Sequence, residues 1–317
     1  MGPKPDLSVS IVNYNSTDYL IRCLTSIKHH SEGLKTEILI VDNGSSDFEA
    51  GKVHQVFPEA VISVNKKNEG FAYAQNQNFA LSTADYFLLL NPDTMVTQGT
   101  LHAIIEAFQR CHNVSVVAPN LVSPEGRSLV NVRDFPTLKS ASKELLYLNR
   151  VVPRNNLQNS SFDKIEFQYV NCITGAAFAV RSRVYRALGG LDEAFFMYFE
   201  EVDFCRRMTR ILHQKIVLLT HVNVFHFLGR SSIQTDVRQT VYYQSYYLYF
   251  KKHHGTRYSL LFRVLVCLSM IMKLIGIQVK YFPLRTGWTL YVNKLAISWR
   301  MFLWGLGIQI PQRNFTR

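Results

Sequence analysis

Asp93 closes the run Phe87-Leu88-Leu89-Leu90-Asn91-Pro92-Asp93. A carboxylate just past an apolar strand, beside a proline that fixes the turn, can reach a divalent cation, and a hard cation can bridge it to a diphosphate. A turn or helix-capping aspartate would occupy the same place. Asp42 ends a second run, Ile38-Leu39-Ile40-Val41-Asp42-Asn43-Gly44-Ser45-Ser46-Asp47. A strand-terminal acid there can accept hydrogen bonds from a ribose or a base. No GxGxxG follows it and no GxxxxGK(S/T) occurs in the chain, which argues against a dinucleotide fingerprint and a P-loop. Asp47 reads as a helix N-cap.

Glu200, Glu201 and Asp203 form an acidic knot after Phe195-Phe196-Met197-Tyr198-Phe199. Mostly aromatic neighbours desolvate a carboxylate and raise its pKa towards that of a useful base. The same acids suit the first turn of a helix, where the dipole favours negative charge. His226, inside Val222-Asn223-Val224-Phe225-His226-Phe227-Leu228-Gly229, reads on its own as a core histidine before a metal ligand. His253-His254 lies among Lys251, Lys252 and Arg257 and reads as basic surface.

Residues 8–12, 37–41, 61–64, 86–90 and 115–118 read as buried strands. Residues 19–28, 71–81 and 100–110 alternate with them as helices. That order predicts an α/β fold with a mostly parallel sheet covered on both faces. Ligands of such sheets bind beyond the carboxyl ends of the strands, where Asn13-Tyr14-Asn15, Asp42-Asn43-Gly44 and Asn91-Pro92-Asp93 all lie. Residues 124–163, with Pro124, Pro136 and Pro153, read as an excursion or flap. Periodicity returns over residues 170–180 and 181–188. A Gly189-Gly190 break, a helix over 200–211 and two apolar runs, 216–219 and 222–227, follow.

The chain has 317 residues, 47% hydrophobic and 18% charged, which excludes general disorder. Five scattered cysteines without a CxxC pair form neither a disulfide framework nor a thiolate zinc site, and suit a reducing compartment. The start of the chain shows no long apolar run, which predicts no signal peptide. Of the net charge of +12, none belongs to residues 1–236, because Asp236 is the last acid and every later charge is basic. Two regions are therefore expected, residues 1–236 and a basic, aromatic, amphipathic helical region over 237–317. On a helical wheel Ser259, Arg263, Ser269, Lys273, Gly276 and Lys280 share one arc, while Leu261, Leu265, Leu268, Ile271, Met272 and Ile275 fall outside it. That pattern predicts a helix lying in the plane of a membrane interface. A spanning helix and an ordinary packed helical subdomain are the alternatives.

The order of these clusters resembles the family 2 glycosyltransferases, closest to the rhamnosyltransferase-like branch of bacterial cell-surface polysaccharide synthesis. The matching residues are Ser10-Ile11-Val12-Asn13-Tyr14-Asn15, Val41-Asp42-Asn43-Gly44-Ser45-Ser46-Asp47, Asn68-Glu69-Gly70-Phe71-Ala72 with Asn76, and Leu89-Leu90-Asn91-Pro92-Asp93-Thr94. The second half adds Thr174-Gly175-Ala176, Gly189-Gly190-Leu191-Asp192-Glu193, the stretch from Phe196 to Asp203, and His226.

The resemblance implies a GT-A fold, a nucleotide-sugar donor (dTDP- or UDP-linked) and Mg²⁺ or Mn²⁺. Asn91-Pro92-Asp93 stands where the family has DxD, so Asp93 would hold the metal, with His226 at a second metal position. Asn13, Tyr14, Asn15, Asp42, Asn68, Gly70, Asn76, Asn91 and Arg207 would surround the nucleotide sugar, and Gly175, Asp192 and Glu193 the acceptor or sugar. Glu201 stands where relatives carry the catalytic base, with Glu200 as its neighbouring alternative. The implied reaction is a single inverting displacement by an acceptor hydroxyl. Rhamnose is the favoured sugar, with galactofuranose, glucose or N-acetylhexosamine as alternatives. A lipid-linked glycan acceptor and the anionic cytoplasmic face of the plasma (inner) membrane complete the expectation. A nucleic-acid partner is not expected, because no such motif is present, and a non-catalytic relative is disfavoured by the acids retained.

Overall fold

The computed structural model describes residues 4–146, 159–162, 165–228, 235–281 and 288–308. In chain order come β1 (Leu7–Asn13), α1 (Thr17–His30), β2 (Thr36–Asp42), α2 (Ala50–Val56), β3 (Val61–Val64), α3 (Phe71–Leu81) and β4 (Tyr86–Leu90). β5 (Thr94–Val96), α4 (Thr100–Arg110), β6 (Val114–Val122), β7 (Val132–Arg133), α5 (Leu138–Leu145) and β8 (Asn159–Phe162) follow. Next are β9 (Ile165–Val170), β10 (Cys172–Ile173), β11 (Ala177–Arg181), α6 (Ser182–Ala187), α7 (Glu200–Ile211) and β12 (Lys215–His226). Three helices come last, α8 (Thr235–His254), α9 (Thr256–Tyr281) and α10 (Trp288–Gly305).

Contacts divide the chain into two units, Met1–Phe135 with Arg154–Ser232, and Pro136–Pro153 with Ile233–Arg317. The second unit thus draws on the expected excursion as well as on the C-terminal region. Of that excursion, residues 147–158 (with Pro153) and 163 lie outside the described residues.

The large sheet of the first unit runs β3-β2-β1-β4-β11-β6-β12-β9-β8, with β5 paired to β12. β3, β2, β1 and β4 are parallel, as expected. Beyond them the sheet is mixed, because β11 lies antiparallel to both β4 and β6. Only a crossover connection forces parallel pairing. β11 follows the excursion and the short β10 instead of a crossover helix, so it is free to enter reversed. Leu7, Val9 and Ile11 of β1 join one large core with Leu20 and Leu24 of α1, Val53 of α2 and Ile104 and Phe108 of α4. On the other face Ser10 donates to Gln75 and accepts from Asn78 at 2.8 Å, so α3 satisfies the polar side of the strand. Phe79, Phe87, Tyr185, Phe178 and Phe204 pack there as an aromatic layer under α6 and α7.

The two apolar runs before His226 are one strand. β12 is parallel to β6, with a register shift between Leu219 and Asn223, and its far end turns to pair with β5. Thr220 and His221 sit in that shift and hide the strand's continuity in the sequence.

In the second unit α9 shows the predicted arcs but turns them the other way. Ser269 donates to the Leu145 carbonyl of α5 at 2.8 Å. Arg263 donates to the Trp304 carbonyl at 2.9 Å and lies over the Tyr247 and Trp304 rings. Lys273 reaches the Tyr243 hydroxyl at 3.5 Å. The polar arc therefore faces the neighbouring helices, while Leu260, Leu261, Val264, Leu268, Ile271, Met272 and Ile275 are exposed. The side chain of Lys280 lies outside the described residues. One described segment, Thr256–Ile277, is long and apolar enough to cross a membrane.

Candidate active site

Asn13 and Asp42 are register partners at the ends of β1 and β2. Asn13 Nδ2 donates to Asp42 Oδ1 at 2.8 Å, and both side chains are buried. Ser45 completes the corner: its amide and hydroxyl donate to Asp42 at 3.0 and 2.6 Å, and its oxygen accepts from the Asn15 amide at 2.8 Å. Asn15 has a left-handed backbone (φ 48°), and its side chain accepts from the Ser46 amide. An asparagine tolerates that conformation better than most residues. Asn43 links this corner to the next, donating to Asn68 Oδ1 at 2.8 Å and to the Gly70 carbonyl at 3.2 Å. Asn68 also accepts from the Gly70 amide at 3.0 Å. Burial pushes the Tyr14 phenol up, against hydrogen bonds from Asn68 and Asn15 that pull it down. Asn13, Tyr14, Asn15, Asp42, Asn68 and Gly70 thus form one connected rim at the strand ends.

Gly70 joins that rim to the second half of the chain. Its φ is 97°, and a Cβ there would lie 2.6 Å from the Phe196 carbonyl oxygen. That oxygen accepts from the Phe71 amide at 2.7 Å. Tyr198 and Phe199 both hold left-handed backbone (φ 69°), an unfavourable state for bulky residues that places Glu200 at the first position of α7.

Glu200 is 5% exposed. Burial, then the neighbouring Glu201, raises its carboxyl well above the ordinary carboxylate range. Burial also raises Glu201, while Arg133 pulls it back. The Oε2 atom of each is buried and has no hydrogen-bond partner among the described residues. Gly175 lies beside Glu201: a Cβ there would stand in ordinary contact, 3.8 Å from Glu201 Cβ and 4.0 Å from the Phe71 ring.

Arg207 and Asn76 are already engaged with protein. Arg207 Nε bonds the fully buried Asp203 at 2.7 Å, and its other nitrogens donate to the Leu188 and Gly190 carbonyls at 2.7 and 2.8 Å. The side chain expected at the diphosphate therefore ties α7 to the Gly189-Gly190 turn. Asn76 donates to the Leu191 carbonyl and to Glu193, each at 2.9 Å, and accepts from the Tyr185 hydroxyl at 2.7 Å. Asp192 accepts from the Ala194 amide at 3.0 Å, closing the same loop. These contacts hold residues 188–194 against α3, α6 and α7.

Asp93 Oδ1 lies 3.3 Å from His226 Nε2, and each side chain is 13% exposed. The pair arises because β5 and β12 place His226 opposite Thr94, while the Phe227 amide donates to the Asp93 carbonyl at 2.9 Å. Asn91 donates its amide to the Ala176 carbonyl at 2.9 Å, fixing the turn that carries Asp93. A carboxylate oxygen and an imidazole nitrogen so placed fit a divalent cation, which binds such donors at about 2.0–2.2 Å. No cluster of three or more such donors occurs among the described residues. The pair would leave the other positions to phosphate oxygens and water, the habit of Mg²⁺.

Ser45 and Arg133 join this arrangement although reading the sequence gave them no role, and Asn43 enters it as the link between two corners. Ser45 and Asn43 lie inside the quoted Asp42–Asp47 run, so their position was available as a signal. Arg133 lies in the irregular excursion and left none.

The sequence model described as Glycosyl transferase family 2 matches residues 8–189. The N-acetylglucosaminyl-diphospho-decaprenol L-rhamnosyltransferase of Mycobacterium tuberculosis is 26% identical over 216 residues, 64% of this chain and 70% of that protein. Rhamnosyltransferase WbbL of Escherichia coli (strain K12) is 24% identical over 218 residues, 63% of this chain and 76% of WbbL. Among solved structures, a mannosyltransferase of Pyrobaculum calidifontis in complex with GDP-Man and Mn²⁺ superposes with a TM-score of 0.55 at 15% identity, covering 96% of this chain and 88% of that one. GalNAc-T7 with UDP, GalNAc and Mn²⁺ gives 0.56 at 14% identity, covering 73% of this chain but only 45% of its own.

Proposed function

The chain belongs to glycosyl transferase family 2 and has the GT-A fold, and from that premise we propose that it moves rhamnose from a nucleotide sugar to a lipid-linked glycan acceptor. The observation that carries the reading is the Asp93–His226 pair, two metal-binding side chains brought within 3.3 Å from distant parts of the chain. The rhamnosyltransferases among its relatives support the choice of sugar, and the name of the mycobacterial one supports the acceptor class.

Asp93 and His226 would hold Mg²⁺ or Mn²⁺. When bound, that cation offsets the charge that grows on the departing nucleoside diphosphate. Asp42, Asn13, Asn15, Tyr14 and Asn68 hold the nucleoside end at the strand rim. Glu201 accepts the proton of the attacking hydroxyl at its carboxylate. Attack comes from the face opposite the leaving diphosphate, so the anomeric configuration inverts.

The enzyme works at the cytoplasmic face of the plasma (inner) membrane. The exposed apolar face of α9 and the lack of any acid after Asp236 support this, because basic residues near an anionic surface contribute about 1 kcal/mol each.

The test is transfer or donor hydrolysis across UDP-, dTDP- and GDP-sugars, with and without Mn²⁺ or Mg²⁺, beside Asp93→Ala. Metal-dependent turnover of a rhamnose donor, lost in the variant, is expected. Turnover of another sugar would replace rhamnose, and no turnover of any donor would overturn catalysis.

A further inference from the structure

Two adjacent buried carboxyls resist ionising together, so something in their surroundings must decide which gives up its proton first. Glu201 and Cys205 are four residues apart and share one face of α7. β10 packs against that face, with the fully buried Cys172 in hydrogen-bonding reach of the Cys205 thiol. β10 pairs antiparallel with β7, and Cys172 stands directly opposite Arg133. Directly opposed residues of an antiparallel pair project on the same face, with Cβ atoms about 5 Å apart. Arg133 therefore projects on the side where α7 presents Glu201. Two residues on, the Phe135 ring lies 5.8 Å beneath the guanidinium of Arg206 of α7, so the segment runs along that helix.

We propose that Arg133 is the positioning residue that keeps Glu201 ionised while Glu200 retains its proton, and so selects the base of the pair. The proposal rests on the reading of Glu201 as the base. The charges on Glu200 come from Glu201 and Asp203, and both push its carboxyl further up. The charge on Glu201 comes from Arg133 and pulls its carboxyl down against burial. The titratable and charged groups placed around Glu201 among the described residues are Glu200 and Cys205 on its own helix, Cys172 of β10 and Arg133 of β7. Of these, Arg133 alone carries positive charge. An arginine suits the task because it stays charged throughout the working pH range.

Wild type, Arg133→Met and Arg133→Lys are compared by kcat/KM against pH, which reports the ionisation of the free enzyme. The acid limb is expected to move up by about one pH unit or more in Arg133→Met, and to return towards wild type in Arg133→Lys. An unmoved acid limb in Arg133→Met, whether the rate falls at every pH or stays the same, would overturn the proposal. Infrared titration of the carboxyl band that disappears in Glu201→Gln follows the same group without turnover. If wild type turns over no nucleotide sugar, the functional reading fails. The band still decides about Arg133, by shifting in Arg133→Met or by staying where it is.

Discussion

The Phe196 carbonyl stands so close to Gly70 that a Cβ on that glycine would lie 2.6 Å from its oxygen. The contact joins the N-terminus of α3 to the loop that delivers the acid pair, so one backbone approach couples the strand-end rim to Glu200 and Glu201. Gly70→Ala must move backbone and adopt a strained φ as well. A cost of about 2 kcal/mol is expected, read as a lower Tm, together with a fall in kcat larger than any change in donor KM.

Glu201→Gln keeps the shape of the side chain and removes the proton acceptor. It should lower kcat by about 10²-fold or more and leave donor KM unchanged. Glu200→Gln should keep most of the activity, because a carboxyl held protonated gives up little when it becomes an amide. Steady-state kinetics on the two variants, with the donor identified in the panel, compare them directly.

Glu200 also sets a pH dependence of stability. Its carboxyl is raised in the folded protein, so above the ordinary carboxylate pKa of about 4.3 the folded state binds more protons than the unfolded one. Stability then falls as pH rises through that range towards the raised pKa. Glu200→Gln removes this term. Its Tm advantage over wild type should be small near pH 5 and larger near pH 8, about the limits of an ordinary thermal series.

The exposed apolar side chains of α9 should enter lipid. Leu268→Asn with Ile271→Asn is expected to reduce sedimentation with anionic vesicles while leaving turnover of a soluble acceptor intact. Binding unchanged by the pair of substitutions would place the lipid contact elsewhere.

Much of the frame is readable from the residues. The helices over 71–81, 100–110 and 200–211 and the strand over 86–90 have the bounds that periodicity predicts. Strand direction is not readable in the same way, since β11 is apolar in either orientation and its connection decides. The wheel separates the arcs of α9 but says nothing of which arc meets protein. That depends on carbonyls and rings supplied by α5, α8 and α10. Asn76 looks like one more polar residue of a helix until the loop at Leu191 folds onto it. Arg207 looks like a surface arginine until Asp203 and two carbonyls close around it.

β12 comes last among the strands of the large sheet, yet it lies between β6 and β9. During synthesis the sheet therefore cannot be finished in the order in which it is made: β9 and β8 must wait for a strand that has not yet emerged. His226 is the final residue of that strand, so Asp93 can meet it only once the last strand of the sheet has been made. A nascent chain stalled before it would carry Asp93 and the strand-end rim on an unfinished sheet with an open edge. Such incomplete chains are the ones most exposed to edge-to-edge association.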